Sequence, residues 1–438
     1  RAAGASYADA RLSHSRSRGF RSASVDAIQD GESMVVGVRA LVNGYWGFAS
    51  SPVWSQDELA RLGREAVHQG KVSAVGPARA VELARAQVIA DGHWVMPVEI
   101  DPFGISPFEV VDYLASLANF VSHHAYFRVI GNRCLFEVQE KAFASSDGSY
   151  CTQRLYRSQG SFSIRFSKER TVEVQGALDR LTPASLGWEL YKGQPLRDYI
   201  VQLMAEMEED AKLPLRPVEV GRYDTVCDAA SVATLADRTL GRATELDRAL
   251  GFEANASGTS YLNAPLTMLD SFHAGAPAIT LTANRSEKGG AATTKWDDEG
   301  VAPDEFTLVK AGVLTDFQTM REGARWLEAP YAKRGSPVRS HGCAAAPSAL
   351  DAPLTHTPNL ALIPGGRKLD FDAAIAEVGK GIAVRQMGVD MDFQSSSGLG
   401  TGRVYEVRGG KRVARLNGAG FLFRSTELWK GVKVLGGA

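Results

Sequence analysis

The sequence predicts an α+β protein of two domains. Residues 1–212 are expected to form an N-terminal α+β domain with a mostly antiparallel sheet. Residues 213–438 are expected to form a C-terminal β-rich, barrel-like domain carrying one prominent helix at 229–250. Three observations predict this. A chain of 438 residues exceeds what one compact core holds. Apolar–polar alternation bounded by Gly, Asn and Pro turns recurs in both halves, whereas helix-period stretches are few. Between the halves, AKLPLRPVEVG at 211–221 carries Pro214 and Pro217 and reads as a linker.

The elements follow in order. Residues 1 to about 50 alternate polar and apolar positions and fit a three-stranded meander, with Gln29-Asp30-Gly31-Glu32 as a hairpin turn. Ser55 caps a helix through about His68, and Asp57 and Glu58 sit in its first turn, where the helix dipole favours negative charge. A second helix spans about Pro107 to Val121. From Ala125 to Val174 strands return, separated by turns at Ser145–Gly148 and Ser158–Gly160. Helices are expected at about 183–191 and 195–212. Beyond the linker come the strand GRYDTVCD, the helix at 229–250, and a series of strands at AITLTAN, EFTLVKAGVLTDFQTM, NLALIPG, IAVRQMGVDMD, GRVYEVRGGKRV and NGAGFLFR. Lys310–Leu314 reads as a hairpin turn.

On a helical wheel the 229–250 segment places Val232, Leu235, Ala236, Leu240, Ala243, Leu246 and Leu250 on one apolar stripe, enough to dock it on a core. Asp228 suits the N-cap, and Gly251 suits the C-terminal stop. Arg238, Arg242 and Glu245 group on the other side. They form either a solvated face with an intrahelical ion pair, or a guanidinium cluster that fills a cavity or meets a carboxylate.

Composition narrows the function classes. The formal net charge is −1, so no basic excess points to nucleic acid or an anionic membrane. No apolar run approaches the length of a membrane span. Cys134, Cys151, Cys227 and Cys343 are scattered, without paired zinc spacing or a disulfide framework. A cytoplasmic location is expected; the alternative is export, with a leader removed before Arg1.

Several phrases resemble the TldD/PmbA family of peptidase-related proteins. They are Gly37-Val-Arg-Ala-Leu-Val-Asn-Gly-Tyr-Trp-Gly-Phe-Ala-Ser50, ATELDRALGFEANASGTSYL at 243–262, WDDEGVAPDEFTLVKAGVL at 296–314, SPVRSHG at 336–342 and TPNLALIPG at 357–365. The resemblance spans nearly the whole chain. It implies an N-terminal α+β domain, a C-terminal barrel-like domain and a dimer enclosing a chamber. It also implies a His-Glu-x-x-x-His segment just before the ATELDRALG phrase, with two zinc-binding histidines, a glutamate as general base and a later cysteine ligand. Neutral imidazoles suit zinc, and an open position holds a water of lowered pKa. Histidines five apart point roughly 140° apart on a regular helix, so a widened turn is needed to bring them together.

Carried over residue by residue, the first His position is Asp237, the Glu position is Arg238 and the second His position is Arg242; Gly241 is retained. No cysteine follows Cys343. The resemblance therefore implies a non-catalytic, TldE-like subunit. It would pair as a heterodimer with a zinc-bearing TldD-like homologue to process unfolded peptides, a homodimer being the alternative. No cofactor is expected in this chain; zinc would sit in the partner.

The expected chamber residues are Arg238, Arg242, Glu245, Asp297, Asp298, His341 and Cys343. Asp297-Asp298-Glu299-Gly300 reads as a turn into a strand or as chamber lining, since a calcium or magnesium loop needs more regularly spaced oxygens. His341, Cys343 and His356 offer an alternative hydrolase site, as zinc ligands or as a Cys–His nucleophile. A homodimeric peptide-binding scaffold is the third reading. Gly398–Gly402 lacks the features of a phosphate loop.

Overall fold

The computed structural model describes residues 3–21, 28–74, 80–168, 172–178 and 180–437. Its first half is built on a seven-stranded sheet. Strands β1 (Tyr7–Arg21), β2 (Gln29–Val42) and β3 (Tyr45–Ser51) form the expected antiparallel meander. Gln29–Glu32 belong to β2, paired with Glu32 opposite Arg16, so the expected turn there is a strand. Helix α1 (Gln56–Ser73) follows, with the Ser55 hydroxyl accepting from the Glu58 amide. Then come β4 (Gly92–Val95), α2 (Pro107–Ser122) and two long strands, β5 (Phe127–Ser145) and β6 (Tyr150–Lys168). The half closes with β7 (Val172–Ala177), α3 (Glu189–Lys192) and α4 (Leu196–Lys212).

Ser158–Gly160 lie inside β6 rather than in a turn. The glycine answers a tertiary demand: a Cβ at Gly160 would run into the Tyr191 hydroxyl, which donates to the Gln159 carbonyl at 2.9 Å. Helices cover one face of the sheet. Leu62, Ala66 and Val67 of α1 pack on Val36, Val38 and Ala40, and Val110, Leu114 and Leu117 of α2 pack with Phe20 and Phe136. Each fully buried Leu- or Val-sized side chain contributes about 1.5–3 kcal/mol.

The second half contains, in order, β8 (Leu215–Pro217), β9 (Asp224–Cys227), α5 (Ala229–Ala236), α6 (Leu246–Ala249), α7 (Pro265–Met268), β10 (Leu281–Asn284), β11 (Glu305–Lys310) and β12 (Val313–Leu314). It continues with α8 (Arg321–Trp326), α9 (Glu328–Lys333), β13 (Ala344–Ala345), β14 (Leu354–Thr355), β15 (Asn359–Leu362) and α10 (Phe371–Ala376). It ends with β16 (Lys380–Met391), β17 (Ser397–Arg408), β18 (Lys411–Asn417), β19 (Gly420–Arg424) and α11 (Ser425–Lys430). The turn expected at 310–314 joins β11 to β12, with Ala311 and Gly312 both at positive φ, as a tight right-twisted hairpin requires. Gly398–Gly402 lie within β17.

These strands form an open four-stranded sheet (β12-β11-β10-β15), a two-stranded ribbon (β13-β14) and a six-stranded sheet (β8-β18-β17-β16-β9, with β19 on β17). No closed barrel is found among the described residues, which corrects the barrel expectation. Leu235 and Leu240 from the central helical segment pack with Leu281 and Leu308 of one sheet and Val384 and Val404 of the other. That segment is the element on which both sheets converge.

Candidate functional site

The predicted helix at 229–250 is not continuous. Asp228 caps α5 as expected, its side chain accepting from the Ser231 amide at 2.9 Å. From Asp237 to Gly241 the chain widens into a π-turn, in which the Arg242 amide donates to the Asp237 carbonyl, five residues back. A short 3₁₀ turn spans Arg242–Thr244, and Glu245 then adopts extended backbone (φ −66°, ψ 115°), ending the helical path. A widened turn displaces carbonyls from the regular ladder, and each needs another partner. The Gly241 carbonyl accepts from Gln318 Nε2 at 2.7 Å, and the Thr239 carbonyl from the Tyr261 hydroxyl at 3.1 Å. The hydroxyls of Thr239 and Thr244 bond back to the carbonyls of Leu235 (2.5 Å) and Leu240 (2.8 Å), and Trp429 Nε1 donates to Thr239 Oγ1 at 2.7 Å. This buried polar network holds the bulge in place.

Asp237 and Arg238 stand nearly half exposed on the turn, their charges 3.6 Å apart. Arg242 is half-buried. The break at Glu245 separates it from the grouping that a continuous helix would impose. Instead of pairing with Arg242, Glu245 meets Arg248 Nε at 3.0 Å, and its Oε1 accepts from the Thr357 amide (3.1 Å) and hydroxyl (2.7 Å). Asp247 Oδ2 accepts from the Thr355 amide at 2.9 Å. Two carboxylates, two residues apart, thus grip alternate amides of the extended segment at 355–357. Burial pushes the Glu245 carboxyl up to about 7 and the Asp247 carboxyl up to about 6, against their hydrogen bonds. Asp247, Arg248, Thr355 and Thr357 were absent from the sequence-derived site. Only the position of Asp247 and Arg248 inside the ATELDRALG phrase signalled them.

Asp297, Asp298 and Glu299 are buried at the seam between the halves, on the sheet face opposite the helices. Asp297 Oδ1 accepts from the amides of Glu299 (2.9 Å) and Val301 (2.8 Å), the pattern of an acid-led turn. Asp298 meets Lys141 at 2.7 Å and Arg11 at 3.7 Å. Glu299 meets Arg39 at 3.3 Å, and Arg39 meets Asp9 at 2.6 Å. The acidic turn therefore neutralises three cations of the N-terminal sheet rather than presenting free carboxylates.

His341 is also buried, stacked on Phe306 with ring centroids 3.9 Å apart. Its Nδ1 lies 2.9 Å from Asp304 and its Nε2 lies 3.4 Å from Asp316. Burial works against the charged ring, but these carboxylates outweigh it and raise its pKa above the usual value. Cys343 is fully buried, and burial pushes its thiol well above the usual value, which removes the thiolate a nucleophile needs. His356 is exposed; its backbone amide donates to the Cys343 carbonyl at 2.9 Å. Among the described residues no group of three or more His, Cys, Asp or Glu is placed to hold a metal, so His341, Cys343 and His356 do not converge as the alternative zinc site supposed. On the π-turn, two guanidiniums beside one carboxylate do not make a donor set for zinc.

A cleft of about 1230 Å³ opens between α4 and the second half. Ala229, Val232 and Ala233 of α5 line it, together with β9 and with Leu360 and Leu362 of β15. Strands β9 and β15 are both edges of their sheets.

Two family models match the chain. One, described as PmbA/TldA metallopeptidase domain 1, covers residues 8–70. The other, described as the PmbA/TldA metallopeptidase C-terminal domain, covers residues 220–437. The chain belongs to the PmbA/TldD metallopeptidase family. The second match contains the π-turn, the clamp on 355–357 and the buried acidic turn, so the site lies within the family's C-terminal domain. The chain is 21% identical over 391 residues to a protein named metalloprotease from Methanocaldococcus jannaschii, covering 86% of this chain and 78% of that one. Its fold is similar to three crystal structures. A proposed modulator of a DNA gyrase from Thermotoga maritima gives a TM-score of 0.73 at 14% identity, covering 98% of this chain and 90% of that one. A proposed modulator of DNA gyrase from Bacteroides thetaiotaomicron gives 0.71 at 16%, covering 99% and 90%. TldE from Thermococcus kodakarensis gives 0.71 at 13%, covering 98% and 91%. Among the described residues, no helix of this PmbA/TldD protein is long and apolar enough to cross a membrane.

Proposed function

We propose that this chain is the non-catalytic, TldE-like subunit of a PmbA/TldD peptidase, which pairs with a zinc-bearing homologue and helps to hold unfolded peptide. One observation carries the reading. At the three positions where the family resemblance puts His, Glu and His, this chain has Asp237, Arg238 and Arg242, on a π-turn held by its own hydrogen bonds. Cations repel a dication. The fold it shares with Thermococcus kodakarensis TldE is consistent with that role. The edges of β9 and β15 beside the cleft suit strand addition by an extended peptide, in which main-chain hydrogen bonds supply sequence-tolerant affinity.

The experiment is co-purification and metal analysis. Affinity purification from the native source should recover a homologue bearing His-Glu-x-x-x-His. Peptide cleavage should need both chains, and the zinc should follow the partner. A tightly held zinc in the purified single chain, with hydrolysis by that chain alone, would sink the proposal.

A further inference from the structure

We infer that Arg242, together with His356, binds a carboxylate of the peptide, an assignment that rests on the peptide-holding role proposed above. The π-turn is seated directly on the segment that carries His356. A Cβ built on Gly241 would lie 3.4 Å from Thr357 Cγ2 and would press on the side chain of Leu360. Arg242 follows that glycine, and its charge acts on both the His356 ring and Glu245, the acid that holds Thr357.

The nearest acids are already engaged. Glu245 is held by Arg248 and Thr357, and Asp247 by the Thr355 amide. Among the described residues the Arg242 guanidinium makes no hydrogen bond and no ion pair within 4 Å, while Arg238 at least meets Asp237. A half-buried guanidinium without an acceptor is an open fork, suited to a carboxylate with two parallel N–H···O bonds.

His356 is the second polar group of the proposed site. The grip of Glu245 and Asp247 on the amides either side of it fixes its backbone, and its exposed ring makes no hydrogen bond among the described residues. Partial burial and the guanidiniums of Arg285 and Arg242 hold its pKa below the usual value. A neutral ring donates one hydrogen bond to a carboxylate without repelling Arg242. The edge strand β15 starts two residues after Thr357, so a peptide added along that edge places a terminus or side chain at the fork.

The carboxylate has two sources, the peptide's C-terminus or an Asp or Glu side chain, and the test separates them. Fluorescence anisotropy is measured with a labelled unstructured peptide on the purified chain and on its complex with the partner. Three versions are compared: free acid, C-terminal amide, and free acid with every Asp and Glu replaced by amides. Loss of one charged fork should weaken binding about tenfold or more. Arg242→Gln should cause the same loss for the free acid and abolish the difference between versions, Arg242→Lys should fall between, and His356→Ala should lose several-fold. An unchanged thermal midpoint of Arg242→Gln shows that the loss is local. Equal binding of all three versions, or no measurable binding of any, overturns the inference. Intact assembly with the partner but no carboxylate preference sinks this assignment alone; a preference that persists without assembly sinks the pairing alone.

Discussion

The amide of Arg242 donates to the carbonyl of Asp237. That single i→i+5 bond decides what the central helical segment can present. On a regular helix these residues would point roughly 140° apart. A widened turn narrows that angle, and Gln318, Tyr261 and Trp429 stabilise it from three separate parts of the chain. None of these supporting hydrogen bonds uses the side chains of Asp237 or Arg242.

Arg39 is expected to be the most sensitive residue of the seam. Its guanidinium neutralises Asp9 and Glu299, both almost fully buried. Arg39→Met leaves two buried carboxylates uncompensated, which costs about 3–5 kcal/mol. Arg61→Gln, which breaks an exposed pair with Glu58, should leave the urea midpoint unchanged. Equal effects of the two substitutions in urea titrations would refute the seam assignment.

Glu245 and Asp247 set a pH dependence. Burial raises both carboxyls, to about 7 and about 6, from unfolded values near 4.5 and 3.8. Between those values the folded state binds more protons than the unfolded chain, so stability falls as pH rises across that window. One such proton gives a slope of at most about 1.4 kcal/mol per pH unit. Glu245→Gln keeps an acceptor for Thr357 and removes the titration. Its stability relative to the parent should therefore improve from pH 5 to pH 7.5, measured by urea unfolding. A constant difference would refute the assignment.

His341 acts in the same sense, over a higher pH range. With a folded pKa raised by Asp304 and Asp316, it contributes stability that is complete below about pH 6.5 and lost as pH rises through the folded value. His341→Gln should cost about 1–3 kcal/mol near pH 6 and less at pH 9. Unfolding midpoints at the two pH values, with equal losses at both, would contradict this.

The strand-and-helix order was legible in the sequence because it rests on local signals. Ser55 before Asp57 and Glu58, the alternation of β1 to β3 and the turn at 310–314 each carry their own chemistry. What was not legible depends on distant partners. Gly160 looks like a turn residue until Tyr191 fills the space beside it. Asp297–Glu299 reads as a turn or as chamber lining because its cations lie far off in sequence: Lys141 is 157 positions from Asp298, and Arg39 is 260 from Glu299. The helical wheel assumed a constant 100° step, so it joined Arg242 to Glu245. The break between them is stabilised by Thr355 and Thr357, residues that no helical pattern reaches.

The π-turn itself can be tested by giving it ligands. In D237H/R242H both substitutions replace half-exposed or half-buried charged residues with imidazoles, so the turn's supporting hydrogen bonds are untouched. If the i→i+5 geometry holds, the two rings converge on one ion, which neither single variant nor the parent can achieve. Binding to the folded state alone stabilises by about 2.7 kcal/mol at a ligand concentration 100 times Kd. The thermal midpoint of D237H/R242H should therefore rise with added zinc at pH 7.5. The rise should vanish near pH 5, where imidazole is protonated and cannot bind metal. The single variants should show little response. A double variant that responds no more than D237H or R242H alone would mean that the two positions do not converge, and the geometric basis for reading this turn as the family's metal-site position would be lost.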